Sequence, residues 1–199
     1  MTAAPRLVMM AGGTGGHVFP ALALARLLRD EGVQVLWIGT RRGFEAQAVP
    51  AAGFDISWIN IGGLRGKGWR ELALGPLKIV LSLAQAIRIL RRFRPDLVVG
   101  MGGYAAGPGG LAAWLLRRPL VIHEQNAAAG TTNRLLARLA RAVLQAYPNT
   151  FPASPRLHTV GNPVRAELVA LPTPAERNTG EVDSFVAAVE NLCIIRALG

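Results

Sequence analysis

Apolar residues in this chain fall into short runs rich in Val, Ile and Leu, and between those runs they recur at helical spacing. The runs cover 6–11, 33–39, 54–59, 96–101, 119–123, 142–146 and 157–160. They do not alternate strictly between apolar and polar, which is the pattern of strands covered on both faces. The stretches 18–31, 44–52, 71–93, 107–117 and 131–141 place apolar residues three and four apart and read as helices. Repeated strand–helix units of this kind predict an α/β fold with an open, doubly wound parallel sheet over residues 1–165. A chain of 199 residues holds one well-buried domain and a short extra piece. From Leu171 the pattern changes: Pro172, Pro174, Asn178 and Gly180 mark a linker, set at 166–180. Beyond it Val182, Phe185, Val186, Val189 and Leu192 return at helical spacing, so 181–199 is expected to be a short amphipathic helix or a truncated tail.

Two glycine-rich stretches directly follow predicted strands. The first is Gly12-Gly13-Thr14-Gly15-Gly16-His17, and the second runs GMGGYAAGPGG from Gly100 to Gly110. Glycine at a strand-to-helix junction permits a sharp turn and brings bare N–H groups against a ligand, where the helix N-terminus adds partial positive charge. In open parallel sheets, ligands bind at the carboxyl ends of the strands. Two such loops in one half-chain point to a phosphorylated or sugar ligand.

The strand near 119–123 runs into His123-Glu124-Gln125-Asn126, and His17 closes the first loop at the equivalent level. A histidine beside a carboxylate can serve as a general base near neutral pH. Each of these polar residues taken alone also fits a capping or loop-bracing role. Their convergence on one sheet edge favours a site. The first loop lacks the Gly-Lys-Ser/Thr of a P-loop, since His17-Val18-Phe19 follows Gly16. It also departs from the dinucleotide fingerprint, with Val18 where Gly or Ala belongs. The second strand ends in Thr40-Arg41-Arg42 instead of an acid, which leaves an NADP-type domain as a weaker alternative. No Cys/His cluster or paired aspartates at ligand spacing point to a metal.

Residues 64–94 are unusual in another way. Leu72, Leu74, Leu77, Ile79, Val80, Leu81, Leu83, Ile87 and Leu90 surround the predicted helix instead of lining one stripe. Arg65, Lys67, Arg70, Lys78, Arg88, Arg91, Arg92 and Arg94 are interleaved or adjacent, against the single acid Glu71. This pattern fits either a core helix with charged ends or a greasy, basic surface suited to an anionic membrane.

The formal charge of +10 is uneven: residues 1–165 hold 20 basic and 7 acidic residues, and 166–199 hold 2 and 5. The surplus points to a phosphate-rich partner, whether nucleic acid, anionic lipid or nucleotide sugar. Although half of the residues are hydrophobic, no uninterrupted apolar stretch is long enough to span a bilayer. The start, Met1 to Pro5, shows no secretory pattern, and a single cysteine, Cys193, fits a reducing compartment. The cytoplasm is the expected location.

Five ordered segments closely resemble the N-terminal half of the MurG family of bacterial peptidoglycan N-acetylglucosaminyltransferases. They are AGGTGGHVFPALALA at 11–25, GLRGKG at 63–68, GMGGYAAGPGGLAAW at 100–114, HEQN at 123–126 and GNPVR at 161–165. The resemblance implies the Rossmann-like N-terminal half of a GT-B glycosyltransferase. Its reaction would be inverting transfer of N-acetylglucosamine from UDP-GlcNAc to the C4 hydroxyl of lipid I (undecaprenyl-diphospho-muramoyl-pentapeptide), giving lipid II. His17 would be the catalytic base. Thr14, Gly15, Gly16, Asn126 and Arg165 match positions reaching the UDP-sugar. Gly13, Gly102, Gly103, Tyr104, His123, Glu124 and Asn133 would serve the acceptor. The membrane-facing residues would be Leu74, Leu77, Lys78, Leu81, Arg88, Arg91 and Arg92. The resemblance further implies no cofactor, since UDP-GlcNAc is a substrate, and no metal. Its partners would be UDP-GlcNAc, lipid I and an anionic membrane surface, not nucleic acid, at the cytoplasmic face of the bacterial inner membrane. Most of the family's UDP-GlcNAc site lies in a second glycine-rich domain. Nothing after Leu171 resembles that domain, and 28 residues are too few for one. The chain is therefore expected to carry the acceptor half and to be inactive alone. The other reading is a non-catalytic module that binds a lipid diphosphate or a membrane.

Overall fold

A computed structural model describes residues 3–62 and 75–163. Seven strands form one sheet: β1 (Arg6–Met10), β2 (Gln34–Gly39), β3 (Asp55–Trp58), β4 (Leu97–Gly100), β5 (Leu120–Glu124), β6 (Ala142–Gln145) and β7 (Leu157–Thr159). Every pair is parallel and the spatial order is β3-β2-β1-β4-β5-β6-β7. The order reverses between β1 and β4, the switch point at which doubly wound sheets open a crevice. Among the described residues, five helices lie between the strands: α1 (Gly15–Asp30), α2 (Glu45–Ala51), α3 (Gly75–Phe93), α4 (Ala106–Leu115) and α5 (Thr131–Leu136).

The absence of strict alternation has its explanation in two cores. Leu7, Met9 and Ala11 of the first strand and its extension pack with Val18, Leu24 and Leu28 of α1 on one face. Val8 and Met10 enter the opposite core with Ala86 and Leu90 of α3 and Ala112 of α4. Both faces of β1 are buried, so both must be apolar. The sheet therefore cannot shift register without breaking two cores at once.

Among the described residues, two helix boundaries differ from the sequence expectation by three residues or more. The first helix begins at Gly15 instead of residue 18, because the chain enters it from inside the glycine loop. The N–H groups of His17 and Val18 both reach the Thr14 carbonyl. The last helix stops at Leu136 instead of 141. Leu136 is packed against α4, where a Cβ on Gly110 would lie 2.7 Å from its methyl carbons. Five residues later the Arg141 N–H already donates to the Leu120 carbonyl at 2.8 Å. The chain has to leave the helix to enter β6. Residues 71–74 of the predicted third helix, Leu74 included, lie outside the described residues, as do Arg165, the 166–180 linker and the 181–199 segment.

Candidate functional site

Both glycine loops sit at the carboxyl edge of the sheet, at the ends of the adjacent strands β1 and β4. They touch each other directly. The Met101 N–H donates to the Met10 carbonyl at 2.7 Å, carrying the strand pairing into the loops. Gly103 has φ +86°, and a Cβ there would run into the backbone of Gly12. Gly102, at φ +95°, lies against the imidazole of His17, whose Nδ1 would be 2.8 Å from an added Cβ.

The first loop is held by a residue that the sequence reading passed over. Glu45, fully buried at the start of α2, accepts the Gly13 N–H at 2.9 Å through Oε2. Its Oε1 accepts the Thr40 N–H at 2.9 Å and the Thr40 hydroxyl at 2.7 Å. The sequence signal was an acid opening a helix whose remaining residues, Gln47 aside, are apolar, two residues after Gly43. No side chain caps α1, and its His17 and Val18 N–H groups share the Thr14 carbonyl.

Around β5 the HEQN segment forms a buried network. Glu124 accepts the Asn126 N–H at 3.1 Å and the Asn126 side-chain amide at 2.9 Å. Its other oxygen accepts the Gly130 N–H at 3.0 Å and Asn133 Nδ2 at 2.9 Å. Burial pushes this carboxyl up, but the hydrogen bonds from Gly130, Asn126 and Asn133 outweigh it and hold the group below the usual carboxylate range. Glu124 is therefore a charged brace for the 126–133 loop. Asn133 is buried too, and its Oδ1 has no protein partner.

His123 corrects an expectation. It is fully buried, with Nε2 2.9 Å from the Gly161 carbonyl and Nδ1 3.0 Å from Gln125 Nε2. Burial lowers its pKa to about 4, against the smaller opposing effects of the Gly161 hydrogen bond and the Glu124 charge. With no exposed surface it cannot touch an acceptor, and its place is behind the site. Gln125, quoted within the motif but given no role, links it to His17, whose Nδ1 is 2.8 Å from Gln125 Oε1.

A cavity of about 720 Å³ opens on this edge. Its lining includes Gly12, Gly13, Thr14, His17, Gly102, Gly103 and Tyr104, with Glu124 and Asn133. The same cavity is walled by Ile79 and Leu83 of α3, Leu111 of α4, and Leu135, Leu136 and Leu139 from α5 and the turn after it, with Lys78, Thr131 and Thr132 among them. Gly15, Gly16 and Asn126 lie at the same sheet edge outside that lining, with the Asn126 amide turned onto Glu124. On α3, Leu77, Ile79, Val80 and Leu81 are between 41% and 60% exposed, and Arg88, Arg91 and Arg92 are exposed toward the other end of the helix. Ser82, Ala86 and Leu90 are buried, so the helix has one core face while its first turns present apolar residues outward. No described helix is long and apolar enough to cross a membrane, and no metal-ligating cluster occurs among the described residues.

The Glycosyltransferase family 28 N-terminal domain matches residues 7–145. This chain belongs to that family. A UDP-N-acetylglucosamine--N-acetylmuramyl-(pentapeptide) pyrophosphoryl-undecaprenol N-acetylglucosamine transferase from Nitrosococcus oceani is 58% identical over 166 residues, covering 83% of this chain and 46% of that protein. The protein of the same name from Photorhabdus laumondii is 55% identical over 175 residues, covering 88% and 48%. The crystal structure of Acinetobacter baumannii MurG matches with a TM-score of 0.71 at 46% identity, over 80% of this chain and 46% of that one. This chain thus spans about half the length of the relatives it matches. The resemblance to MurG and the Rossmann-like GT-B half-fold both stand, and the NADP-binding alternative is not favoured.

Proposed function

We propose that this chain is the lipid-acceptor half of an enzyme that transfers N-acetylglucosamine from UDP-GlcNAc to lipid I. The observation that carries the reading is the mixed lining of the cavity. Glycine-loop backbone and an imidazole, together with leucine and isoleucine side chains in one cavity, suit a ligand with a sugar diphosphate head and a hydrocarbon tail. The names of the relatives supply the reaction: their transferase acts on a pyrophosphoryl-undecaprenol.

In this reading the acceptor's diphosphate lies on the amides around Gly102 and Gly103, beside Gly13 whose own N–H is held by Glu45, with Tyr104, Glu124 and Asn133 shaping the sugar pocket. His17 takes the proton from the C4 hydroxyl as its oxygen attacks the anomeric carbon. The new carbon–oxygen bond forms on the face opposite the departing UDP, which leaves with the bonding electrons, so the anomeric centre inverts. Thr14, Gly15, Gly16, Asn126 and Arg165 are assigned to the donor by their match to the family's motifs. No metal or further cofactor enters this scheme. The exposed apolar turns of α3, with Lys78, Arg88, Arg91 and Arg92, rest on the anionic cytoplasmic face of the inner membrane, where the tail can enter the cavity.

Titration of the isotope-labelled chain with a short-chain polyprenyl-diphosphate muramoyl peptide is expected to shift the resonances of Gly102, Tyr104 and His17. The same muramoyl peptide without diphosphate and lipid should leave them unmoved. Binding that bypasses these residues sinks the acceptor-site reading. In a chain joined to a donor half, His17→Ala should lower turnover by about 10²–10⁴-fold with acceptor affinity retained. For the membrane, each basic residue near an anionic surface contributes about 1 kcal/mol. Co-sedimentation with anionic vesicles should therefore fall with salt and on changing Arg88, Arg91 and Arg92 to Glu. Equal binding to neutral vesicles by both proteins would remove the electrostatic role.

A further inference from the structure

The four groups running from Gly161 to His17 have only one consistent assignment of hydrogens. A carbonyl can only accept, so His123 Nε2 carries a proton and donates it to Gly161. His123 is fully buried and neutral near pH 7, which leaves Nδ1 bare. Gln125 Nε2 lies 3.0 Å from that nitrogen and 3.3 Å from the His123 carbonyl, two acceptors that both require the amide's NH2 on this side. Gln125 Oε1 therefore faces His17, and an amide oxygen only accepts, so the proton of neutral His17 sits on Nδ1.

We infer that Gln125 is a positioning residue that fixes the tautomer of His17, holding its proton on Nδ1 and leaving Nε2 as the basic nitrogen. The catalytic meaning of this rests on the proposed role of His17; the tautomer itself does not. An imidazole side chain in water prefers the opposite tautomer, so without the relay the basic nitrogen would be the one turned toward Gln125. When Nε2 takes up a proton, the Nδ1–H bond to Gln125 persists and becomes charge-assisted, so the base changes state without a hydrogen-bond rearrangement. The relay is anchored outside the loops. Gly161 accepts at its far end, and Asn162 Nδ2 holds the Gln125 carbonyl at 3.1 Å. The GNP segment at 161–163 thus sets the state of a histidine in the first glycine loop, which accounts for a motif to which no role was attached beyond Arg165.

Long-range proton–nitrogen spectra of the histidine rings distinguish a protonated from a bare ring nitrogen, and can be recorded on this chain with its rings neutral. The parent is expected to show His17 protonated at Nδ1, and His123 protonated at Nε2. Gln125→Met, close in shape but without donor or acceptor, should shift His17 toward the Nε2–H form. Gln125→Glu keeps an acceptor oxygen against His17 and should retain the Nδ1–H form. A parent His17 carrying its proton on Nε2 overturns the inference without any variant. So does a folded Gln125→Met in which the His17 tautomer is unchanged. In a chain joined to a donor half, Gln125→Met should lower kcat by roughly ten- to a hundredfold, short of the loss on removing the base itself, with acceptor affinity unchanged. A changed tautomer with unchanged kcat would leave the positioning inference standing and overturn the reading of His17 as the base.

Discussion

The two glycine loops lie side by side at the same sheet edge, yet they are held by opposite means. The first is pinned by a side chain. Glu45 occupies the space beneath it, and glycines at 12, 39 and 43 leave room, because a Cβ on any of them would meet the Glu45 carboxylate or its methylene. The second loop needs no carboxylate. Gly102 and Gly103 adopt positive φ and press onto His17 and the Gly12 backbone. One loop is thus shaped chiefly by a buried, hydrogen-bonded carboxyl group, with Gly13 at φ +90° beside it, the other by backbone conformation and close approach alone. Glycine serves different ends in each, which a glycine-rich motif read as text cannot separate.

The largest effect should come from the second loop. Gly103→Ala combines a left-handed backbone with a collision against Gly12, and is expected to cost about 4 kcal/mol of stability in denaturant unfolding. A cost below about 1 kcal/mol would mean that the loops do not need to touch.

Acid should act next, through the first loop's link to β5. The His123 pKa falls from 6.5 to about 4 on folding, so the unfolded chain takes up a proton as pH drops through 6.5 and the folded chain does not until about 4. Stability is therefore complete above 6.5 and declines between those values by about 3 kcal/mol in all. Glu124 adds its own loss only below its ordinary value of 4.5, since its pKa too is lowered. Unfolding curves at stepped pH check this, and His123→Gln should flatten the upper part of the slope.

Glu45→Ala should cost about 2 kcal/mol, by leaving the donors of Gly13 and Thr40 unpaired. The smallest effect is the most discriminating. Gly12→Ala places a Cβ 2.7 Å from Glu45 Oε1, and that penalty should fall by about 1 kcal/mol when Glu45 is already Ala. The cost of Gly103→Ala should be the same in either background. Coupling of Glu45 to Gly103 as strong as to Gly12 would erase the distinction between the loops.

Much of this architecture was legible in the sequence because strand periodicity and glycine placement are local properties. All seven apolar runs became strands, and both loops fell at the predicted edge. What escaped depends on long-range partners. Glu45 and Gly13 are 32 residues apart, and His17 and Gln125 are 108 apart. A polar residue at a strand end reads the same whether it faces a ligand or a buried carbonyl, which is why His123 was expected at the surface and lies beneath it. The 131–141 helix was overextended for a related reason. Ala137–Ala140 keep helical composition, and only the need to pair Arg141 with Leu120 ends the helix.

The close packing at Gly12, Gly102 and Gly103 has a bearing on drug resistance. A side chain at any of these positions collides with Glu45, His17 or the neighbouring backbone. An inhibitor gripping the loops through their amides would contact atoms that every amino acid except proline carries, at positions where any side chain is penalised. Escape by substitution at the contact itself is costly there. Resistant variants would arise more readily along the apolar wall of the cavity, where leucine, isoleucine and methionine can replace one another at small cost.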